Sequence, residues 1–306
     1  MRRRTLAAAA AVLALALSPS ASRAEDDKEE PFETSWFGGS LELWYEPHIS
    51  LHGKVGGFQD PTGTVTLNNT SFDAHDDLGV LTNTPRMTLV DFGYGTLAPR
   101  VFVDTRWISL EAFWVMPFEY RGEATITHAF SFAGAQFQLS RPVETDLAQS
   151  IAGFEIRVNI LNNRFVRLSP IVAVDAIAID WTVKDATPGS TIKASTEDID
   201  FPLTLGRYKV FPYPAVGGEV RAGYRDFVEA DLKLTGMYVN YLGVQAWTAL
   251  LDVGVTGYIP YFPYVGVRLG YRYYWFQAKT NNQAGDKQFE ADLRLSGLVA
   301  SVIVRF

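Results

Sequence analysis

The 306-residue chain contains no cysteine, so it has neither a disulfide framework nor thiolate chemistry. Beyond residue 24 it also lacks any run of 18 apolar residues, since the longest candidate, Ile171–Ile179, is interrupted by Asp175. A membrane-spanning helix requires about 20 apolar residues in succession. The sequence therefore excludes a helical membrane protein.

Excess positive charge and familiar catalytic motifs are absent as well. The chain has 27 Lys and Arg against 34 Asp and Glu, a formal net charge of −7, which argues against a nucleic-acid-binding surface. It contains no Walker loop, no dinucleotide-binding glycine fingerprint, no HExxH motif and no EF-hand loop. We therefore expect no cofactor and no nucleic-acid partner.

The first 24 residues have the three parts of a secretory signal peptide. Met1–Thr5 is positively charged, Leu6–Leu17 is apolar, and the segment from Ser18 to Ala24 ends in small residues suited to cleavage. The apolar part is too short for a membrane anchor. Removal of residues 1–24 takes away four arginines and no acid, which leaves 23 basic and 34 acidic residues and a charge of −11. Residues 25–34, which are strongly charged, predict a periplasmic N-terminal extension.

Alternation of apolar and polar side chains is the main structural signal in residues 35–306. Within Tyr264–Phe276, for example, Val265 and Val267 fall on one face of a strand, whereas Arg268 and Arg272 fall on the other. About ten such segments can be counted, joined by short turns near 105, 162, 225 and 260 and by longer loops near 48–84, 119–145, 183–200 and 281–286, with 240–243 as a short exception. This pattern predicts an all-β fold, a closed antiparallel up-and-down transmembrane β-barrel of about ten strands, with eight or twelve as alternatives.

Aromatic residues cluster near the strand ends and predict belts at the two membrane interfaces. Tyr224, Phe227, Tyr258, Tyr261, Phe262 and Tyr264 lie near short turns, and Trp114, Trp247 and Trp275 lie toward the opposite strand ends. Three prolines, Pro170, Pro212 and Pro214, remove ladder donors and predict bulges or strand ends. A change of phase in the last strand predicts a further bulge at Ser296–Gly297.

The faces opposite the apolar ones carry charges of both signs, which a barrel would direct into its lumen. Unpaired buried charges are costly, so we expect a salt-bridged plug that fills the barrel; a narrow polar pore is the alternative reading. The set comprises Glu42, Glu111, Glu155, Arg157, Arg167, Asp175, Glu219, Arg221, Glu229, Asp231, Lys233, Asp252, Arg268 and Arg272.

All four histidines, His48, His52, His75 and His128, fall in two of the long connections, near several aspartates. They allow a surface metal site or a His/Asp hydrolase site, and His48 and Ser50 have the spacing of the H-x-S element of outer-membrane lipid hydrolases. In those enzymes an asparagine follows the serine, whereas Leu51 follows it here. Solvated loop residues are the simpler interpretation, and we expect no metal and no catalytic site.

The closing segment resembles the C-terminal assembly signal of outer-membrane barrels, with a terminal Phe306 preceded by Val304 and Val302 at alternating positions. Short echoes at Asp76–Gly79, Phe130–Gly134 and Leu293–Gly297 make the chain similar to a family of small Gram-negative outer-membrane barrels, loosely of the OmpA and OmpW types. The resemblance implies a fold, an outer-membrane location and recognition of the C-terminal strand by the barrel-assembly machinery. It implies no activity.

The sequence thus predicts a non-enzymatic, monomeric outer-membrane barrel with a structural or surface-interaction role, surrounded by outer-membrane lipid and lipopolysaccharide. A narrow, porin-like channel for small solutes and a surface hydrolase that uses the loop histidines are the alternatives. Neither the solute nor the extracellular partner follows from the residues.

Overall fold

Ten long strands contain most of the residues described by the structure, a computed structural model. The described residues are 36–56, 58–59, 66–67, 70–73, 86–87, 96–126, 130–132, 135–163, 165–196, 203–224, 227–241, 244–259, 262–280 and 288–306. The long strands are β1 Trp36–Gly56, β2 Thr96–Asp104, β3 Ile108–Thr125, β4 Pro142–Val158, β5 Val166–Asp185, β6 Tyr208–Tyr224, β7 Val228–Tyr241, β8 Val244–Ile259, β9 Phe262–Thr280 and β10 Gln288–Arg305.

Every long strand pairs antiparallel with the strands before and after it, and β1 pairs with β10, so the sheet closes on itself. The predicted up-and-down barrel of ten strands is thereby confirmed. Shorter strands lie in or beside the connections, at Phe58–Gln59, Thr66–Leu67, Thr70–Asp73, Arg86–Met87, Phe130–Phe132, Ala135–Phe137, Leu161–Asn162, Lys193–Ser195 and Leu203–Leu205.

The connections differ between the two ends of the barrel, as the sequence predicts. At one end, here called the short-turn end, β2 is followed by β3, β4 by β5, β6 by β7 and β8 by β9 after two to seven residues, and Phe37 pairs with Phe306. At the other, the loop end, β1 is followed by β2, β3 by β4, β5 by β6 and β9 by β10 after 7 to 39 residues, and β7 is followed by β8 after two. The predicted turn at Asn162–Asn163 forms because the Asn163 side-chain oxygen accepts hydrogen bonds from the backbone N–H groups of Phe165 and Val166.

Side chains alternate between the outer surface and the lumen along each strand. In β8, Leu251, Val253 and Val255 are exposed, whereas Asp252 and Thr256 between and beside them are buried. A soluble sheet buries its apolar face. An apolar exterior around a polar interior is the arrangement of a barrel that spans lipid, so the fold is a transmembrane β-barrel. Among the described residues, no helix is long and apolar enough to cross a bilayer.

Two levels of exposed aromatic side chains border this apolar surface. Trp247 and Tyr238 pack against each other at 4.4 Å between ring centroids toward the loop end. Twelve residues separate Trp247 from Ile259 at the short-turn end, which corresponds to about 30 Å at a strand tilt of about 40°. That height matches the hydrocarbon core of a bilayer. Exposed aromatic residues at the short-turn end are Phe37, Trp107, Phe165, Tyr224, Phe227, Tyr264 and Phe306.

The three prolines are located differently from the prediction. Pro170, Pro212 and Pro214 lie inside β5 and β6, and the register between these strands is unbroken. In an antiparallel strand, alternate residues direct their backbone N–H groups to opposite neighbours. The odd residues of β6 donate to β5, so the nitrogens of the even residues, which include Pro212 and Pro214, face β7. The ladder between β6 and β7 ends at the Val216–Gly236 pair, before the prolines are reached. Pro212 and Pro214 are therefore tolerated, because the N–H groups they lack would face β7 at a level where β6 and β7 form no ladder.

The last strand runs without the predicted change of phase. β10 keeps one register with β9, and no bulge interrupts it at Ser296–Gly297. Instead the extra residue lies in β1, where the register with β10 shifts between Tyr45 and His48. Leu293 and Leu295 are fully buried because they face the lumen, not the lipid. The three residues of the resembled assembly signal are part of the same strand and its end; Val302 and Phe306 are exposed and Val304 is half-buried.

Candidate functional site

The lumen toward the short-turn end contains a network of buried ion pairs, which is the most unusual feature of the described residues. Arg272 donates to Glu42 and to Asp252, and Arg268 donates to Asp252 at 2.6 Å and through Nε to Asp231 at 2.9 Å. These five side chains project from β1, β7, β8 and β9. Because each arginine bridges two carboxylates, the chain of contacts ties together strands that lie around the barrel wall.

A second chain of ion pairs crosses the opposite side of the lumen. Arg157 donates through Nη2 to Glu111 at 2.7 Å and to Glu155 at 2.8 Å, and Lys233 also donates to Glu155. Arg100 donates both to Glu111 and, at 3.3 Å, to a carboxylate oxygen of Glu42. Glu42 in β1 therefore joins the two chains into one network.

The network continues toward the short-turn end through residues of β5, β6 and β7. The Arg157 Nε lies 3.5 Å from Glu219, and Arg221 donates to Glu219 at 3.0 Å and lies 3.7 Å from Glu229. Arg167 pairs with Asp104. Hydrogen bonds among neutral side chains link this region, since Ser169 donates to Asn159 at 2.7 Å and Asn159 donates to Ser109 at 3.2 Å.

Eleven of the twelve charged residues of strands β4 to β9 in the predicted set belong to this network; the twelfth, Asp175, does not. Asp175 faces the lumen from β5, but no ion pair joins it to a described residue, and its Oδ1 is buried without a hydrogen-bond donor. Gly153 leaves space for this carboxylate, because a Cβ at Gly153 would lie 2.1 Å from Oδ1. The network is Glu155, Arg157, Arg167, Glu219, Arg221, Glu229, Asp231, Lys233, Asp252, Arg268 and Arg272, with Glu42 and Glu111 and with two residues absent from the sequence prediction, Arg100 and Asp104.

The lumen residues missing from the sequence prediction are Arg100, Asp104 and Arg305. Arg100 and Asp104 lie on β2, a short strand preceded by a segment with glycines and a proline that obscures its phase. The alternation Ala98, Arg100, Phe102, Asp104 was the available signal. Arg305 sits at the mouth of the lumen, its guanidinium carbon 4.6 Å from the ring centroid of Trp36 and 4.0 Å from that of Tyr258. Tyr258 thus belongs to the lumen mouth and not to an aromatic belt.

A layer of buried apolar side chains lies in the lumen above the network, toward the loop end. Phe211 and Phe276 meet edge to face at 5.9 Å, and Trp181, Phe137 and Trp44 are at most 2% exposed. The inward charges predict a plug of ion pairs alone, and this prediction was incomplete. The sequence does not reveal this layer, because the outward-facing residues at the same level are apolar too. Segments such as Ile171–Ile179 therefore show no alternation of apolar and polar side chains.

A cavity of about 120 Å³ lies within the charged half of the lumen. Its lining extends from Arg272 and Asp252 to Thr105, Arg106 and Arg305 at the short-turn end. A smaller space of about 20 Å³ lies between the network and the apolar layer, beside Asp175. In the described part of the chain, the polar cavity thus forms a vestibule that the apolar layer separates from the loop end.

The histidines that would support a hydrolase or a metal site cannot be placed in this geometry. His75 and His128 lie outside the described residues, as do the side chains of His48, Ser50 and His52, whose backbone belongs to β1. Within the described ranges, no group of three or more His, Asp or Glu side chains is arranged to hold a metal ion. The hydrolase alternative and the expected absence of catalysis therefore both stay predictions.

Comparisons with known proteins find similarity at the level of fold. No protein-family model matches the sequence, and a search of curated proteins finds no match. Among solved structures, the barrel is similar to the outer-membrane protease OmpT of Escherichia coli, with 12% identity, coverage of 90% of this chain and 98% of that one, and a TM-score of 0.46. The attachment invasion locus protein Ail of Yersinia pestis matches with 7% identity, coverage of 87% and 98%, and a TM-score of 0.26.

The toluene transporter TodX of Pseudomonas putida matches with 8% identity, coverage of 90% and 91%, and a TM-score of 0.30. A protease, an attachment protein and a transporter are thus all among the similar barrels. With identities of 7 to 12% and TM-scores of 0.26 to 0.46, these likenesses carry no activity over to this chain.

Proposed function

We propose that this chain is a non-conducting barrel of the Gram-negative outer membrane with a structural or surface-interaction role. One observation carries the proposal: a fully buried apolar layer, which includes Trp181, Phe211 and Phe276, lies across the lumen between the charged vestibule and the loop end. Ions do not cross a dehydrated apolar layer readily, because they would lose their hydration shell without replacement. The barrel is therefore closed in its resting form.

The proposed location rests on the outer surface and on the predicted leader. Exposed Val and Leu side chains between two aromatic levels suit a bilayer, and a signal peptide at 1–24 would deliver the chain to the periplasm. Insertion then places the short turns in the periplasm and the longer loops outside. Lipopolysaccharide would surround the loop end, and the barrel-assembly machinery would recognise the strand that ends in Phe306.

The proposed role is contact, without catalysis, and a monomer suffices for it. The network needs no second subunit, since its carboxylates and guanidinium groups pair within one barrel. A closed lumen leaves the residues of the loop end as the surface available to extracellular partners. The alternative function, a channel, is supported by the vestibule, which provides a polar path through the half of the lumen at the short-turn end. Conduction through the whole barrel would require the apolar layer to move.

Single-channel conductance of refolded protein in planar bilayers tests the closed state. We expect no steps from the wild type and discrete steps from Phe211→Ala/Phe276→Ala, which removes two rings of the layer. Arg272→Gln should stay silent, because it opens the network alone. Leu298→Ala is the matched control, because it also removes a large apolar side chain but does so on the lipid-facing side of the barrel, and it should stay silent. Steps from the wild type would overturn the proposal in favour of the channel.

A further inference from the structure

Two arginines face each other directly at the mouth of the vestibule. Arg167 in β5 and Arg221 in β6 are register partners, and both side chains line the cavity. Directly opposed side chains on antiparallel strands have their Cβ atoms about 5 Å apart, and like charges there repel each other. This pairing of two arginines is unfavourable unless a negatively charged group lies between or beside the two guanidinium groups.

The carboxylates nearby do not use all the donors of this arginine pair. Arg167 binds Asp104 and Ser109 through Nη1 alone, and Arg221 binds Glu219 through Nη2 and approaches Glu229 through Nη1. The Nε atoms of both arginines are buried and have no hydrogen-bond partner. Arg167 itself is only 7% exposed, so bulk water reaches it poorly. One N–H donor of each guanidinium group thus has no partner among the described groups of the protein.

Charged side chains of both signs surround this position. Nine basic side chains line the cavity against seven acidic ones, and Glu155 and Asp175 lie beside it. Arg106 and Arg305 lie at the same end of the cavity as the arginine pair. The acids there are already acceptors of arginine or serine donors: Asp104 accepts from Ser109 and Arg167, for example. The buried atoms without a hydrogen-bond partner here are the two Nε donors and one acceptor, Glu219 Oε2, which lies 3.5 Å from Arg157 Nε.

We propose that Arg167 and Arg221 form a binding site for a small oxyanion of the phosphate class in the vestibule. Water could fill the space and accept the free N–H groups, but it would add no negative charge to that of Asp104, Glu219 and Glu229 beside the two cations. A phosphate does both, because its oxygens accept hydrogen bonds from the forks of two guanidinium groups and its charge lies between them. The cavity of about 120 Å³ has room for such an anion and opens at the short-turn end.

This site does not depend on the proposed closed, non-conducting role, and its test needs neither a membrane potential nor a partner. Inorganic phosphate is titrated calorimetrically into the folded barrel in an uncharged detergent and chloride buffer. We expect saturable binding of one phosphate, weakened at least tenfold in Arg221→Gln. The double variant Asp104→Asn/Arg167→Gln removes both members of an ion pair, leaves no orphan carboxylate, and should weaken binding equally.

Arg294→Gln, an exposed arginine on the outer side of β10, is the matched control and should bind phosphate as the wild type does. Heat-modifiable mobility on gels verifies that each variant is folded. Repeating the titration in phosphatidylglycerol nanodiscs separates two sources of the phosphate group: unchanged binding indicates a free anion, and lost binding indicates a lipid headgroup in the site. Absence of saturable binding to the wild type, or equal binding to Arg221→Gln, would overturn the proposal.

Discussion

The hydroxyl groups of Tyr213 in β6 and Tyr274 in β9 meet across the lumen at 2.9 Å. Both rings are 2% exposed, and they lie where the charged network gives way to the apolar layer. Each tyrosine therefore directs its apolar ring into the layer and satisfies its polar group with the other. The pair joins two strands that are not neighbours in the wall, which makes it an internal brace of the barrel.

The first prediction concerns this brace. Tyr213→Phe should lower the free energy of unfolding by about 1–3 kcal/mol, because it leaves the buried Tyr274 hydroxyl without its partner. Tyr274→Phe should do the same. The double variant Tyr213→Phe/Tyr274→Phe should be closer to the wild type than either single variant, since no unpaired hydroxyl is left. Urea titrations of reversible folding into lipid vesicles measure all four stabilities, and strictly additive losses would contradict the pairing.

Sequence reasoning succeeded where lipid dictates the pattern and failed where it does not. A barrel must present apolar side chains to lipid at every second position, so strand number, turn positions and inward charges such as Arg268 and Arg272 are visible as alternation. Inside the barrel no such rule applies. Inward Ile177 and Ala173 are as apolar as outward Val174, so nothing in the sequence separates the two faces there.

The alternation along one strand also does not predict which residues pair across neighbouring strands. The unbroken register past Pro212 and Pro214 depends on which edge their nitrogens face, and that follows from the neighbouring strands, not from the prolines themselves. The shift between Tyr45 and His48 is likewise a relation between two strands. For the same reason the opposed arginines Arg167 and Arg221 can be recognised as lumen residues from sequence, but not as partners.

The second prediction separates buried from exposed ion pairs. Asp252 accepts from both Arg268 and Arg272, so Asp252→Asn leaves two buried cations under-compensated and should destabilise the barrel by about 3–5 kcal/mol. Arg294→Gln removes the exposed cation that pairs with Asp292 on β10, leaves the hydrogen bond from Trp275 Nε1 to Asp292, and should cost less than about 1 kcal/mol. The same folding titrations compare the two. Equal losses would show that the lumen network is as well hydrated as the surface.

The third prediction tests how closely the backbones of β6 and β7 approach each other at Gly217, one residue from the last pair of their ladder. A Cβ at Gly217 would lie 2.0 Å from the Leu234 carbonyl oxygen, so Gly217→Ala forces the strands apart and should cost about 1–3 kcal/mol or more. At Gly218 the nearest atom to an added Cβ, the Ser169 carbonyl oxygen, is 3.8 Å away. Gly218→Ala is therefore a control for the loss of glycine flexibility alone and should be close to neutral. A comparable loss in both variants would contradict the close approach.

The last prediction uses depth in the bilayer to test whether the barrel spans it. Val253 and Ile259 both face outward on β8 and are similarly exposed, but Val253 lies midway between Trp247 and the short-turn end, whereas Ile259 lies at that end. A cation on the lipid-facing side costs about 2–4 kcal/mol at the midplane and about 0–1 kcal/mol near the interface. Val253→Arg should therefore lose several times more folding free energy in vesicles than Ile259→Arg. In a water-soluble barrel the two arginines would both be solvated and the difference would vanish, so the ratio of the two losses, more than either loss alone, reports on the membrane.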